Sequence, residues 1–296
     1  VGPGEDVLFE DLEVNSFGTN FVLQSQDEPV QNVRIRRCVV TDAYNTEGGG
    51  GHPQGLYAEG VRGLLIEGNL FDHNGWNAEV EGAGPNIFNH NIYIATGNSG
   101  VTVRGNILAR GSSHGLQLRC GGVIENNIVV RNAVGLLLGG GTPDPATHTN
   151  GVTGAIRGNV LLEGTDIAPG VPRGIGIDIE NIGYRGATVQ GNILANKISD
   201  ADGQSIRLGA SGYGVGVGCT LVYVTSNVIY NWRGPVWLDR PDANTFLRFN
   251  RFDSNIFQEP SSSFRGPMLG RPDLAFFTVI FGRGNRWFSS GNPSIS

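Results

Sequence analysis

The sequence lacks the features of a helical, membrane-spanning or disulfide-rich protein. Only 16% of its 296 residues are charged, and no apolar run reaches the ~18 residues of a transmembrane helix. Amphipathic stretches of helical periodicity are also missing, because Gly or Pro interrupts each candidate. The three cysteines, Cys38, Cys120 and Cys219, lie at unrelated spacings beside apolar runs. This pattern favours buried small side chains over a disulfide framework or a zinc site.

Positive charge is scarce as well. The formal net charge is −6 and the basic residues are scattered, which argues against a nucleic-acid partner. A polyanion could still bind a local group of arginines. The chain opens on VGPGED with neither an initiating Met nor a signal sequence, so we expect a processed or trimmed chain.

What the sequence does have is glycine, at 47 residues, and a repeat built on asparagine. Eight short apolar runs of the type LLIEGNLF contain an Asn, namely Asn69, Asn106, Asn127, Asn159, Asn192, Asn227, Asn255 and Asn285. The gaps between them average roughly 31 residues, which is typical of a solenoid. Two earlier segments fit the same frame, with Cys38 and Leu12 in the Asn position. We predict roughly ten coils in one continuous domain covering residues 1–296.

Each repeated Asn is predicted to lie at a bend between two strands. Asn tolerates the left-handed backbone conformation, and its amide can both donate and accept hydrogen bonds. Stacked on coils ~4.8 Å apart, such amides would form a ladder inside the solenoid. The repeated Asn is therefore interpreted as structural.

A second strand of each coil can be aligned once the Asn frame is fixed. Its copies are GLYAE, NIYIA, GLQLR, GLLLG, GIDIE, SIRLG and PVWLD, at residues 55–59, 91–95, 115–119, 135–139, 176–180, 205–209 and 235–239. Alternation points the aliphatic residues inward. The outward columns are Tyr57, Tyr93, Gln117, Leu137, Asp178, Arg207, Trp237 and Glu59, Ala95, Arg119, Gly139, Glu180, Gly209, Asp239. Long insertions at 75–89 and 139–151 flank this face, which predicts a groove suited to a chain-like ligand.

This repeat texture resembles the right-handed parallel β-helix of the pectate lyase superfamily. The resemblance rests on short parallel strands, an Asn ladder at one bend and a face walled by loops, and it covers nearly all of the chain. Members of that superfamily include polysaccharide lyases, uronate C5-epimerases, glycoside hydrolases and phage tailspikes. The resemblance implies that a polysaccharide binds along the parallel sheet.

The densest set of reactive side chains on this face is His90, Tyr93, His114 and Arg119. His90 and His114 occupy the same frame position, so adjacent coils should stack them ~5 Å apart. Removal of the C5 proton of a uronate requires a base, a group that neutralises the carboxylate and a proton donor. We predict His90 or His114 as the base, Tyr93 as the acid and Arg119 as a bidentate partner of the carboxylate.

The two histidines also have a structural interpretation. In strict alternation they share the parity of the inward residues, and their frame equivalents Val134 and Ile175 are apolar, which favours a buried imidazole stack. Glycines at the next position, such as Gly115, mark a bend where the parity can reset. Both orientations stay open.

Substrate contacts are predicted at Tyr57, Glu59, Trp76, Asn91, Gln117, Asp178, Arg207 and Trp237. The segment FDHNGW places Trp76 beside Asp72 and His73 at the first long loop. A loop Trp can stack on a pyranose ring or pack under its own loop. His52 and His148 lie in loops rich in Gly, Pro and Thr and are interpreted as solvated.

Two rival functions stay open. Asp178, Glu180 and Asp239 share the outward face and could serve a glycoside hydrolase. The same acids could bind Ca²⁺, although no loop has the dense Asp spacing of a dedicated site. A tailspike-like or adhesin β-helix would instead bind glycans through the aromatic residues of this face without catalysis.

The sequence thus predicts an all-β protein, a right-handed parallel β-helix acting on an acidic, uronate-containing polysaccharide as a lyase or C5-epimerase. No metal or cofactor is firmly predicted. The substrate class favours a secreted or periplasmic location, and we expect a monomer with no nucleic-acid or membrane partner.

Overall fold

The structure, a computed structural model, describes residues 5–25, 28–46, 51–140, 152–169, 171, 173–180, 182–196, 213–218, 221–232, 234–238, 247–258 and 277–288. Within these ranges every element of regular secondary structure is a β-strand. Neighbouring strands of each sheet are parallel. The strands form three sheets, which we call sheets A, B and C, and each of the first eight coils contributes one strand to each sheet. The predicted solenoid of roughly ten coils is confirmed, since sheets A and B each contain ten strands.

Sheet A contains β1 (Leu8–Glu10), β4 (Val30–Arg36), β7 (Val61–Glu67), β10 (Thr102–Arg104), β13 (Gly122–Glu125), β16 (Val152–Arg157), β19 (Ile182–Gln190), β22 (Val222–Thr225), β25 (Leu247–Asp253) and β27 (Phe277–Phe281). Sheet B contains β2 (Glu13–Asn15), β5 (Val39–Thr41), β8 (Leu70–Asp72), β11 (Ile107–Ala109), β14 (Ile128–Val130), β17 (Val160–Leu162), β20 (Ile193–Ala195), β23 (Val228–Tyr230), β26 (Ile256–Gln258) and β28 (Arg286–Phe288). Sheet C contains β3 (Thr19–Gln24), β6 (Gln54–Glu59), β9 (His90–Ile94), β12 (His114–Leu118), β15 (Val134–Gly139), β18 (Ile175–Glu180), β21 (Tyr213–Gly218) and β24 (Gly234–Leu238).

The predicted Asn ladder is the bend between sheets A and B. Asn127 is typical: its Oδ1 accepts from the backbone N and the Nδ2 of Asn106 at 2.9 and 3.0 Å, and its own Nδ2 donates to Asn159 Oδ1 at 2.9 Å. The repeat continues to Asn285. Cys38 occupies the predicted Asn position, because its N donates to Asn69 Oδ1 at 2.8 Å. The structural interpretation of the repeated Asn is therefore confirmed.

A second Asn ladder, which the sequence analysis did not predict, lies at the bend between sheets B and C. Asn20 donates to Asn74, Asn74 to Asn91, and Asn91 to Asn132, at 3.2, 2.9 and 3.2 Å between the amide nitrogens and oxygens. Three of these side chains are buried, namely Asn74, Asn91 and Asn132. This ladder joins the chain that follows β8 and β14 of sheet B to the first residues of β3 and β9 in sheet C.

The predicted register of sheet C is confirmed along most of its length. Leu56, Ile92, Leu116, Leu136 and Ile177 lie opposite one another on consecutive strands and are buried. SIRLG at residues 205–209, which was aligned with this sheet, lies outside the described residues. The place between β18 and β24 belongs to Tyr213–Gly218, whose Val215 pairs with Ile177 on one side and Val236 on the other.

The interior between the three sheets is one continuous apolar core. Cys38 and Cys120 lie in it as free, buried thiols, as predicted, whereas Cys219 lies outside the described residues. Burial raises the pKa of the Cys120 thiol to about 12, so it stays protonated. Within the described ranges, no helix has the length and apolar character to cross a membrane.

Candidate functional site

The outer face of sheet C carries the predicted column of polar and aromatic residues. The structure pairs Tyr57 with Tyr93, Tyr93 with Gln117, and Leu137 with Asp178. The rings of Tyr57 and Tyr93 lie 5.6 Å apart between centroids and are both partly exposed. The Arg119 guanidinium carbon lies 5.3 Å from the centre of the Tyr93 ring. Two tyrosines and one arginine thus form a contiguous partly exposed surface, which we call the Tyr–Arg surface (Tyr57, Tyr93 and Arg119).

His90 and His114 lie opposite each other on adjacent strands, as predicted, with ring centroids 4.5 Å apart. Both belong to the outer side of the sheet, because the His90 ring contacts the outward Tyr93 at 5.2 Å. Their frame equivalents Val134 and Ile175 pack with the outward Leu137 in a small cluster separate from the main core. The parity reset considered at the glycine bend therefore occurs.

Outward orientation does not leave the imidazoles accessible, since His90 is only 4% exposed and His114 only 5%. Ser113 and the end of the first long loop cover them. Ser113 Oγ donates to Asn89 O at 2.6 Å and lies 2.7 Å from His90 Nδ1 and 3.0 Å from His114 Nδ1. Since its proton is directed to the loop carbonyl, Ser113 accepts from His90 Nδ1–H, and this selects one neutral tautomer of His90.

A chain of hydrogen bonds joins the buried His90 to the surface Arg119. With its amide nitrogen towards His90, Gln117 donates to His90 Nε2 at 2.7 Å. Its oxygen then accepts from Arg119 Nε and an Nη of the same guanidinium at 3.1 and 3.3 Å. The opposite orientation would set the amide oxygen against an acceptor and the amide nitrogen against the arginine donors. Gln117 is itself 6% exposed, so it is a buried connector between the two groups.

The electrostatics follow from this burial. Loss of hydration lowers the pKa of His90 to about 4, with a smaller contribution from the Arg119 charge. Burial lowers the pKa of His114 well below its usual value, and the neighbouring His90 adds to this shift. Both imidazoles are therefore neutral at pH 7. Burial, followed by the Glu59 charge, raises the pKa of the Tyr57 hydroxyl.

Three predicted acidic residues lie on the same outer face. Glu59 is partly exposed and its Oε1 accepts from the backbone N of Gly97 at 3.0 Å. Asp178 and Glu180 are both partly exposed on β18. Asp178 lies on the third strand from Tyr93 across the sheet. Asp178 and Glu180 therefore lie on a coil apart from the Tyr–Arg surface, whereas Glu59 shares β6 with Tyr57.

Two predicted substrate contacts occupy other places. Asn91 is fully buried in the second Asn ladder and donates to Ala109 O at 2.8 Å, so the expectation that it contacts substrate is corrected. It is turned inward at the position where the strand parity resets. The Trp76 indole donates to Arg110 O at 2.9 Å and packs against His73 at 4.5 Å. Its contacts are thus at the end of sheet B, not with the tyrosines of sheet C.

The remaining candidate residues lie outside the described residues or away from the Tyr–Arg surface. Arg207, His148 and Asp239 lie outside the described residues. Trp237 is described by its backbone, which pairs with Gly216. His52 is exposed and lies against Phe88 with ring centroids 5.0 Å apart. Over the described part of the chain, no group of three or more His, Cys, Asp and Glu is placed to hold a metal ion.

Sequence reasoning missed Ser113, the residue that contacts both histidines. The signal was present as SSHG, a hydroxyl directly before His114. Alternation alone gives such a residue no role. It became recognisable because the first long loop returns to the sheet and supplies Asn89 as the acceptor of the Ser113 hydroxyl.

Three parallel sheets wound coil by coil define a parallel β-helix. The chain belongs to the right-handed β-helix family, whose profile, described as "Right handed beta helix region", matches residues 1–152. Similar solved structures include pectate lyase Pel9A, at 11% identity and a TM-score of 0.46, covering 95% of this chain and 72% of that one. Another is the catalytic domain of a GH87 α-1,3-glucanase in complex with tetrasaccharides, at 12% identity and a TM-score of 0.48, covering 97% of this chain and 65% of that one. No protein of curated function matches this chain.

Proposed function

We propose that the chain binds an acidic polysaccharide along the outer face of sheet C and abstracts the C5 proton of a uronate, as a lyase or a C5-epimerase. The observation that carries the proposal is the Arg119 guanidinium held beside the Tyr93 ring on that face. Aromatic rings meet the apolar side of a pyranose, and an arginine pairs with a carboxylate through parallel hydrogen bonds. The Tyr–Arg surface combines both.

Arg119 is the proposed carboxylate-binding residue. Its Nε and one Nη are directed at Gln117, so the end of the guanidinium formed by its two Nη groups receives the substrate. As C5 loses its proton, negative charge develops on the carboxylate, and the fixed positive charge stabilises it. Because Gln117 already orients the guanidinium, less conformational entropy is lost on binding.

Tyr93 is the proposed proton-transferring residue. It is partly exposed and adjoins Arg119, whereas His90 and His114 are buried. His90 Nε2 is occupied by Gln117, so His90 could accept a proton from C5 only after Gln117 moves away. The predicted base role of the histidines remains a proposal that requires such a movement. A secreted or periplasmic location follows from this substrate class.

The test is incubation with a panel of uronate polymers. Ultraviolet absorbance of an unsaturated product identifies a lyase, and deuterium incorporation at C5 in heavy water identifies an epimerase. Arg119→Gln and Tyr93→Phe should each abolish the signal, while Arg34→Gln, at an exposed arginine of sheet A, should retain it. A wild-type protein that produces neither signal on any polymer contradicts the proposal.

A hydrolase is the second candidate, favoured by the partly exposed Asp178 and Glu180 on β18. Hydrolysis would produce new reducing ends without unsaturation or C5 exchange. In that case Asp178→Asn and Glu180→Gln should abolish turnover and Arg119→Gln should not.

A further inference from the structure

The outer face of sheet B carries an unusually apolar column. The first residues of its strands are in register and form what we call the apolar stripe, namely Val39, Leu70, Ile107, Ile128, Val160, Ile193, Val228 and Ile256. Four of them are large side chains exposed to solvent, with Val39 at 38%, Ile107 at 42%, Ile128 at 44% and Ile193 at 47%. Isolated exposed aliphatic residues are ordinary, but a contiguous patch marks an interaction surface.

The column two residues further along the same strands extends this patch. From β11 to β23 it reads Ala109, Val130, Leu162, Ala195 and Tyr230. A charged residue follows the apolar stripe at each end of the column, because Glu13 pairs with Val39 and Arg286 pairs with Ile256. The apolar region is thus bounded, as the centre of an interface is bounded by a polar rim.

The dimensions suit a second copy of this chain. Eight rungs span about 34 Å at the strand spacing, and with flanking side chains the face offers about 700 Å². A standard interface buries about 800 Å² per partner. Two flat sheet faces can also pack directly on each other, as in β-sandwiches.

Charged side chains flank the apolar stripe on both of its long sides. On three of the eight coils of the apolar stripe, the last residue of the sheet A strand and the residue after the sheet B strand carry opposite charges. These same-coil pairs are Arg36 with Asp42, Glu125 with Arg131, and Arg157 with Glu163. Two other coils differ: Glu67 lies on the coil of His73, and Arg104 lies on the coil of the like-charged Arg110. Several of these side chains already pair along the stack within one chain, as Arg131 does with Glu163 at 2.6 Å. They remain partly exposed, with side-chain fractions of 56% and 33% for that pair.

We propose that the apolar stripe is a homodimer interface in which two copies pack face to face about a two-fold axis parallel to the solenoid axis. This axis sets each coil against the same coil of the partner and reverses the strand direction. The sheet A flank of one copy then faces the sheet B flank of the other, which brings opposite charges together on the coils of Arg36, Glu125 and Arg157. An axis along the strands would instead set the first coil of the apolar stripe against the last, so that Val39 would face Ile256 of the second copy. The monomer expected from the sequence would be the dissociated form.

Sedimentation velocity of the intact chain over about a hundredfold concentration range tests the proposal. The wild type should show a reversible dimer. The double variant Ile128→Lys, Ile193→Lys should dissociate more than about 100-fold more readily, with its far-ultraviolet circular dichroism and melting temperature retained. Thr188→Lys, an exposed change on the sheet A side of the Ile193 coil, should dimerise as the wild type does. A wild type that is monomeric throughout, or a dimer that survives in the double variant, overturns the proposal.

Cross-linking tests the orientation. In the proposed dimer Val39 lies on the same rung as Val39 of the second copy, so a bifunctional thiol reagent that spans the ~10 Å between packed sheets should cross-link Val39→Cys between the two copies. The same reagent should cross-link Ile128→Cys. The wild type, which already has Cys38, Cys120 and Cys219, gives the background under the same conditions. Cross-linking of Ile128→Cys without Val39→Cys would contradict the same-coil arrangement.

Discussion

His90 Nε2 and the Gln117 amide nitrogen lie 2.7 Å apart on adjacent strands of sheet C. Through this bond the buried imidazole determines which way the amide points, and the amide oxygen in turn faces Arg119. Gln117 was predicted as a substrate contact, yet it is nearly enclosed. Its place in the hydrogen-bond chain makes it a support of the Tyr–Arg surface.

Replacing Gln117 by Leu should therefore affect both stability and binding. The His90 Nε2 acceptor would remain buried without a donor, which costs about 1–3 kcal/mol of unfolding free energy. Arg119 would also lose the oxygen that orients it, and we expect about tenfold weaker binding of a uronate oligosaccharide. Denaturant unfolding and titration calorimetry measure the two effects.

Gln190→Leu provides the matched control, since Gln190 is exposed on sheet A. It should change neither quantity appreciably. If Gln117→Leu were as stable as the wild type, the bond between Gln117 and His90 would be contradicted, whether or not the protein binds uronates.

Stability should fall at mildly acidic pH because of the buried histidines. The folded-state pKa of His90 is about 4, below its ordinary value of 6.5, so between these values the unfolded chain binds more protons than the folded one. The free energy of unfolding is therefore highest above pH 6.5 and decreases as the pH falls towards 4. For His90 this decrease is at most about 3 kcal/mol. His114 contributes in the same direction.

Unfolding in urea at a series of pH values measures this dependence. His90→Gln should reduce the slope between pH 6.5 and 4, whereas His52→Gln, at an exposed histidine, should keep it. A wild-type stability that stays constant through this interval would show that His90 is not a neutral buried group.

Residues that point into the core could be predicted from the sequence better than residues on the outer face of a strand. Inward positions such as Leu56 and Ile92 are predictable, because apolar residues fill the core and the repeat fixes their spacing. The Asn ladder is predictable for the same reason, since each copy occurs in the same local sequence. The second ladder was missed although Asn74 and Asn132 each follow a ladder Asn by five residues, because the other coils lack this pattern.

Outward positions depend on contacts that a repeat does not encode. SIRLG matches the strand template better than YGVGVG, yet the strand that pairs with β18 is Tyr213–Gly218. Burial of His90 depends on how the 75–89 loop returns to Ser113. Loop paths of this kind are set by tertiary contacts between distant residues, so the identity of the exposed groups required the structure.

The Asn ladder should be more important in the middle of the stack than at its end. Asn127 accepts two hydrogen bonds from Asn106 and donates to Val103 and Asn159, and it is 1% exposed. Asn127→Ala should cost about 2–4 kcal/mol, since several buried partners lose their bonds together. Asn285 is partly exposed at the last rung, so Asn285→Ala should cost less than half as much. Equal losses in thermal or chemical unfolding would contradict a cooperative internal ladder.

The glycine bend beneath the histidines gives a final prediction. A Cβ on Gly115 would lie 2.7 Å from the backbone oxygen of Gly135 and 3.1 Å from Asn132 Nδ2, so Gly115→Ala must displace either the next strand or the second ladder. Such overpacking typically costs about 1–3 kcal/mol. Since this bend turns His114 outward, the variant should also disturb the His90 and His114 imidazole signals in NMR spectra. Gly84→Ala is the control, because a Cβ there meets nothing within 4 Å. If Gly115→Ala matched Gly84→Ala in both measurements, the bend would not be what places the histidines on the outer face.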